Sequence, residues 1–199
     1  GHNVVAYLPA TGSTAGVQKP WVLVGAHYDH LGRGESGNTL AEKGDVNKIH
    51  HGADDNASGT AAVLAVGEML SAQPRTRNIA LQFWSGEELG LIGSNAYVNA
   101  PLIPIDQTAA YVNFDMVGRM QDNKLSVQAT GSSPVWARLV EQANIAAGFD
   151  LQLQPDPYQP TDVAAFNGVG VPSINFFTNT HVDYHKPSDT PERLMPGFY

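Results

Sequence analysis

The chain has 199 residues, 42% hydrophobic and 15% charged, which suits one globular domain with a sizeable core and excludes a disordered composition. Eleven Lys and Arg against 19 Asp and Glu give a formal net charge of -8, a poor footprint for nucleic acid and no basic face for an anionic membrane. Cysteine is absent, so disulfides and thiolate metal sites are excluded, and any metal must be held by His, Asp and Glu.

In chain order, Asn3 to Leu8 reads as a strand almost at the start, and Trp21 to Ala26 as a short, buried apolar strand. Residues 31 to 53 are Gly-rich and polar without a period; a loop of that length inside a compact domain is usually functional. Ser58 to Ala72 is apolar nearly all round and predicts a helix buried between layers, capped by Asn56 or Ser58, with Pro74 just beyond its end. Asn78 to Trp84 predicts a second buried strand, Glu87 to Val98 a helix, Ala109 to Asp115 a third strand and Leu125 to Ala129 a fourth. A helix is expected over Pro134 to Ala147, with Gly148 as its stop. A short strand at Leu151 to Leu153, a short helix at Asp162 to Phe166 and a last strand at Val171 to Phe177 complete the pattern. Strands alternating with helices imply an α/β fold, a three-layer sandwich with a mostly parallel central sheet and helices on both faces. No repeat or linker divides the chain, so residues 1–199 are expected to form a single domain. Its start in a strand and its stop at Gly197-Phe198-Tyr199 read as a piece truncated at both ends.

Polar, metal-competent residues stand at the ends of the apolar strands. His27 and Asp29 follow the first buried strand, Glu87 and Glu88 the second, Asp115 closes the third, and His185 and Asp189 follow the last. In a parallel sheet the carboxyl ends of the strands share one rim, where ligands bind; Asp54-Asp55, at the start of the buried helix, should face the same rim. Each piece has a plain alternative. His27-x-Asp29 could be surface loop, Glu87-Glu88 a helix N-terminus, Asp54-Asp55 a cap, Asp115 a buried acid paired with Arg119, and His185 a satisfied histidine. The conjunction of five strand or helix ends is what points to metal. Two imidazoles and several carboxylates without sulfur suit zinc, with manganese or cobalt also able to fit. Two metals roughly 3.5 to 4 Å apart need one bridging carboxylate, and one His and one carboxylate each; His27, Asp54, Glu88, Asp115 and His185 fill those roles.

The stretches Gly25 to Gly32, Gly52 to Gly59, Ser85 to Ser94, Asn113 to Met116 and Asp183 to Thr190 together resemble the di-zinc exopeptidases of the bacterial leucyl aminopeptidase and aminopeptidase Y family. The resemblance implies an aminopeptidase that hydrolyses the N-terminal bond of peptide substrates through a metal-bound hydroxide, with two Zn2+ per chain. It places His27 and Asp115 on one zinc, Glu88 and His185 on the other, and Asp54 between them, with a cis peptide between Asp54 and Asp55. It makes Glu87 the general base. Asp29 would orient the His27 ring, Asp189 would help around His185, and Tyr184 would stabilise the oxyanion or simply pack. His30, His50, His51 and His181 are expected to shape loops, and Asp162 to cap its helix or support the site.

The resemblance also implies a secreted or periplasmic protein. No segment reads as a bilayer span or signal peptide, and a removed signal would look the same. A carboxypeptidase or dipeptidase would need a cationic clamp, for which only Arg33, Arg119 and Lys186 lie close to the motifs. A one-zinc glutaminyl cyclase and a non-catalytic interaction domain are two further rivals. Oligomeric state is left open by the sequence.

Overall fold

A computed structural model of the chain describes residues 1–45 and 47–195; the end at Gly197-Phe198-Tyr199 lies outside the described residues. The strands are β1 (Val4–Leu8), β2 (Trp21–His27), β3 (Asn78–Trp84), β4 (Thr108–Phe114), β5 (Lys124–Gln128), β6 (Asp150–Leu153) and β7 (Ser173–Phe177). The helices are α1 (Gly59–Ser71), α2 (Ile92–Asn99), α3 (Trp136–Ala147) and α4 (Val163–Gly168). Among the described residues the strands form one sheet of order β1-β3-β2-β4-β7-β5-β6. Strands β3, β2, β4 and β7 run parallel at its centre, β1 pairs antiparallel with β3, and β5 antiparallel with β7. The sheet is therefore mixed, with the expected parallel centre.

The central strands are near-continuous apolar runs because helices cover both of their faces. Val24, Ala26, Ile79 and Leu81 point to α1 and pack on Val63; Trp136 and Val140 of α3 meet Val127 and Ile174. The opposite face, Leu23, Ala80, Trp84 and Tyr111, packs on Tyr97 of α2 and Phe166 of α4.

Three elements differ from the sequence expectation. Helix α1 is not buried all round: Gly59, Val63 and Gly67 face the sheet, while Leu64 and Met69 are more than half exposed. Its start is held by Asn56, whose Oδ1 accepts the Gly59 amide at 3.0 Å. Helix α2 begins five residues later than Glu87, because Gly90 (φ 101) and Leu91 (φ 58) are left-handed and turn the chain first. The last strand begins at Ser173, just after Pro172, which has no N–H to donate to the ladder.

Candidate metal centre

All four central strands end on the same rim, and each delivers a polar side chain. His27 is the last residue of β2, Glu87 and Glu88 lie in the turn after β3, Asp115 follows β4, and His185 lies in the segment after β7. A fifth segment, Ala53–Ser58, brings an aspartate from the start of α1. These side chains converge on a cavity of 270 Å³ lined also by Met116, Thr161 and Tyr184.

The aspartate that joins them is Asp55, not Asp54, which corrects the sequence reading by one residue. Asp55 Oδ1 lies 3.3 Å from His27 Nε2, and Asp55 Oδ2 lies 3.2 Å from His185 Nε2. His27 Nε2 is 3.5 Å from Asp115 Oδ1, and His185 Nε2 is 3.3 Å from Glu88 Oε2. Asp54 is fully buried and turned away: its Oδ1 accepts the Gly118 amide at 2.7 Å, and its Oδ2 lies 3.1 Å from His181 Nε2. Adjacent residues point apart, so only one of the two acids can face the cavity. The cis peptide is likewise displaced by one residue, to Asp55-Asn56.

The backbone here is stitched to the end of β4. Asn56 Oδ1 accepts the Met116 amide, Asn56 Nδ2 donates to the Phe114 carbonyl, and Ser58 Oγ accepts the Val117 amide. Gly59 permits this approach, since a Cβ there would lie 2.3 Å from the Phe114 carbonyl oxygen. Asp189 does not support His185 as expected; it is fully buried, and its carboxylate accepts the amides of both Asp54 and Asp55.

The imidazoles are pre-oriented. His27 Nδ1 bonds the backbone carbonyl of Asp29 at 3.1 Å, and His185 Nδ1 bonds that of Asn38 at 2.8 Å. A carbonyl only accepts, so Nδ1 carries the hydrogen and Nε2 faces the carboxylates. The Asp29 carboxylate is 3.8 Å from the ring and instead accepts the amides of Glu87 and Glu88. Asp29 therefore orients His27 through its backbone and fixes the Glu87-Glu88 turn through its side chain. Asp115 is not paired with Arg119, which bonds Asp183; its Oδ2 accepts the Thr161 hydroxyl at 3.0 Å.

Titration follows from this crowding. Burial pushes the Glu87 carboxyl up to about 9, with the nearby Asp115 and Glu88 charges adding to it and His27 opposing. Burial works against a charged His185, yet its hydrogen bonds to Asp55 and Glu88 raise it to about 10. His27 is likewise raised despite burial, by Asp115 and Asp55, and the same contacts lower Asp55 against its own burial. Glu88 is lowered by His185 and His30 in spite of burial. Burial and the carboxylates raise the Tyr184 hydroxyl, whose ring stacks on His185 with centroids 3.9 Å apart. The cluster is thus a concentration of negative charge that holds protons on both imidazoles, where a cation would displace them.

The donor set fits such a cation. Nitrogen and oxygen ligands at 2.0–2.2 Å in a tetrahedron stand about 3.3–3.6 Å apart. The four donor separations around Asp55 run from 3.2 to 3.5 Å. His27, Glu87 and Asp115, and His27, Asp55 and Glu88, each gather donor atoms within 4.8 Å.

Sequence reasoning undervalued His30. Its Nδ1 lies 2.8 Å from Glu88 Oε1, and its side chain is nine-tenths buried. The signal was its place three residues after His27 at the same strand end. His50 and His181 do shape loops, bonding Thr39 and Asp54. Asp162 sits before α4 without capping it by its side chain; both of its oxygens are buried and unpartnered.

The chain is similar to known proteins along its length. The profile of Peptidase family M28 matches residues 3–199. A probable lipoprotein aminopeptidase of Mycobacterium tuberculosis is 34% identical over 138 residues, covering 68% of this chain and 23% of that protein. Leupeptin-inactivating enzyme 1 of Streptomyces exfoliatus is 27% identical over 190 residues, 94% of this chain and 37% of that protein. The crystal structure of a zinc aminopeptidase from Bacillus subtilis superimposes with a TM-score of 0.76 at 26% identity, covering 97% of this chain and 45% of that one. The chain thus spans less than half the length of each of these three proteins.

Proposed function

This chain belongs to Peptidase family M28, and on that premise we propose that it is the catalytic part of a two-zinc aminopeptidase. The observation that carries the reading is Asp55, whose two carboxylate oxygens face two different His and carboxylate pairs. His27 and Asp115 would hold one zinc, Glu88 and His185 the other, and Asp55 would bridge them. When bound, the pair would lower the pKa of water toward neutrality and polarise the scissile carbonyl.

The chain's own residues supply the rest. Glu87 lines the cavity beside Asp115. Burial and the neighbouring carboxylates hold its proton on in the metal-free cluster; two bound cations would offset that charge and leave Glu87 ionised, able to take the proton of the attacking water and deliver it to the leaving nitrogen. Its neighbour Glu88 points to His185, so the adjacent acids divide the roles of base and ligand. Tyr184 lines the cavity wall, which supports a role for its hydroxyl as a donor to the developing oxyanion. The carboxylates receive the free α-amino group of a peptide.

Amino rather than carboxyl specificity is supported by the lining. Among the described residues no Lys or Arg lines the cavity, and a substrate carboxylate would meet four acids. Arg119, the nearest cationic candidate in sequence, is bonded to Asp183. The relative described as a lipoprotein aminopeptidase supports a location outside the cytoplasm, and among the described residues no helix is long and apolar enough to cross a membrane. The test is cleavage of amino-acid anilides before and after chelation. Activity lost with chelator and restored by zinc is expected; chelator-resistant cleavage, or cleavage only of peptides with a free carboxyl end, would overturn the proposal.

A further inference from the structure

The two halves of the cluster are held by different parts of the fold. His27 and Asp115 stand at the ends of β2 and β4, and their support comes from the buried sheet. Asp115 Oδ2 accepts from Thr161 Oγ1, which accepts from Asn113 Nδ2, each at 3.0 Å. Asn113 is tied in turn to the Tyr111 hydroxyl and to Asn175. Glu88 and His185 lie beyond their strands in turns; the Asp29 carboxylate holds the Glu88 amide, and further support comes from His30 and from the described residues of the long polar segment at 31–52. His30, just before it, donates from Nδ1 to Glu88 Oε1 at 2.8 Å. Asn38 Nδ2 donates to the Glu88 carbonyl at 2.6 Å, the Asn38 carbonyl accepts from His185 Nδ1 at 2.8 Å, and the Leu40 amide donates to the His185 carbonyl at 2.9 Å. The loop is closed on itself by His50, whose amide bonds the Gly32 carbonyl at 2.8 Å and whose Nε2 bonds the Thr39 hydroxyl at 2.7 Å.

His30 is seated for this work. Its ring lies over Gly52, where a Cβ would come within 2.6 Å of His30 Cγ. Its Nε2 is buried without a partner, so Glu88 is the ring's only hydrogen-bond partner among the described residues. Glu88 keeps Oε2 toward His185 because Oε1 is held by His30.

We propose that His30 and the described residues of the loop at 31–52 position one of the two metal sites, the Glu88–His185 half, and that this half can be weakened independently of the His27–Asp115 half. The inference rests on the two-zinc reading. His30 acts through Glu88 and is a positioning residue; losing such a partner costs about 10–100-fold in metal affinity.

The test titrates metal-free protein with zinc ions against a competing chromophoric chelator, with circular dichroism and melting of each metal-free variant as folding controls. Wild type is expected to take up two equivalents. His30→Ala weakens one equivalent by about 10–100-fold and leaves the other unchanged. His30→Gln keeps an N–H donor and recovers most of the loss. Thr161→Val weakens the other equivalent instead. Should His30→Ala misfold, Asn38→Ala, at an exposed position, removes only the bond to the Glu88 carbonyl and is expected to weaken the same equivalent. Two unchanged equivalents in these loop variants, two equally weakened ones, or a Gln variant no better than Ala, would overturn the proposal. Wild type that takes up no second equivalent would overturn the two-zinc reading itself, a result distinct from the others.

Discussion

Replacing Asp189 tests whether its carboxylate holds the segment that presents Asp55 to the cavity. Asp189 is fully buried, and its carboxylate accepts the Asp54 amide at 3.0 and 3.1 Å and the Asp55 amide at 3.1 Å. Asp189→Ala leaves two buried amides without partners, at about 1–3 kcal/mol each, or about 2–6 kcal/mol together. Burial also pushes the Asp189 carboxyl up from its ordinary value, so deleting it relieves a desolvated charge, and the lower half of that range is expected. Asp189→Asn keeps one oxygen able to accept both amides and should cost about 1–2 kcal/mol. Urea unfolding in excess chelator reads these values without a contribution from metal binding. If Ala and Asn both fall within about 0.5 kcal/mol of wild type, the range for neutral surface changes, the carboxylate does not hold the segment.

Glu87→Gln should keep both zinc equivalents yet lose about 10²–10⁴-fold in kcat; near-wild-type turnover would remove Glu87 from the base role. Asp162 is raised by burial to about 7 from an ordinary 3.8, so its contribution to stability is fully present below about pH 4 and is lost as pH rises through about 7. Asp162→Asn cannot titrate, so in chelator its stability relative to wild type should rise by up to about 4 kcal/mol between about pH 4 and 7; parallel stability curves would contradict this. Zinc uptake at pH 7 should release protons, because His27 and His185 are both held protonated by their carboxylate partners; calorimetry in buffers of different ionisation enthalpy checks the count, and zero release would argue against these imidazoles as ligands. Gly59→Ala should destabilise the fold and weaken zinc binding together, since its Cβ would sit 2.3 Å from the Phe114 carbonyl oxygen; a variant unchanged in both would show that α1 can shift freely.

The sheet is legible in the sequence because its central strands are apolar runs with polar ends, and that boundary also marks the rim. His27, Glu87, Glu88, Asp115 and His185 stand out by that signal, and the structure brings all five to one cavity. What sequence does not resolve is which of two adjacent, chemically identical acids turns inward. Asp54 and Asp55 differ only in backbone geometry and in partners at Gly118 and His181, more than 60 residues away. The supporting contacts of His30, Asn38, Thr161 and Asp189 are hidden for the same reason: each joins segments distant in sequence. Helix α2 is shorter than its pattern suggests because Leu89, Leu91 and Ile92 look helical until positive φ angles at Gly90 and Leu91 break the run.

The most direct measurement is a crystal structure of zinc-loaded protein with anomalous scattering at the zinc edge. Two peaks are predicted, one on each oxygen of Asp55, the first against His27 and Asp115 and the second against Glu88 and His185. A single peak, or peaks held by Asp54 in place of Asp55, would contradict the account.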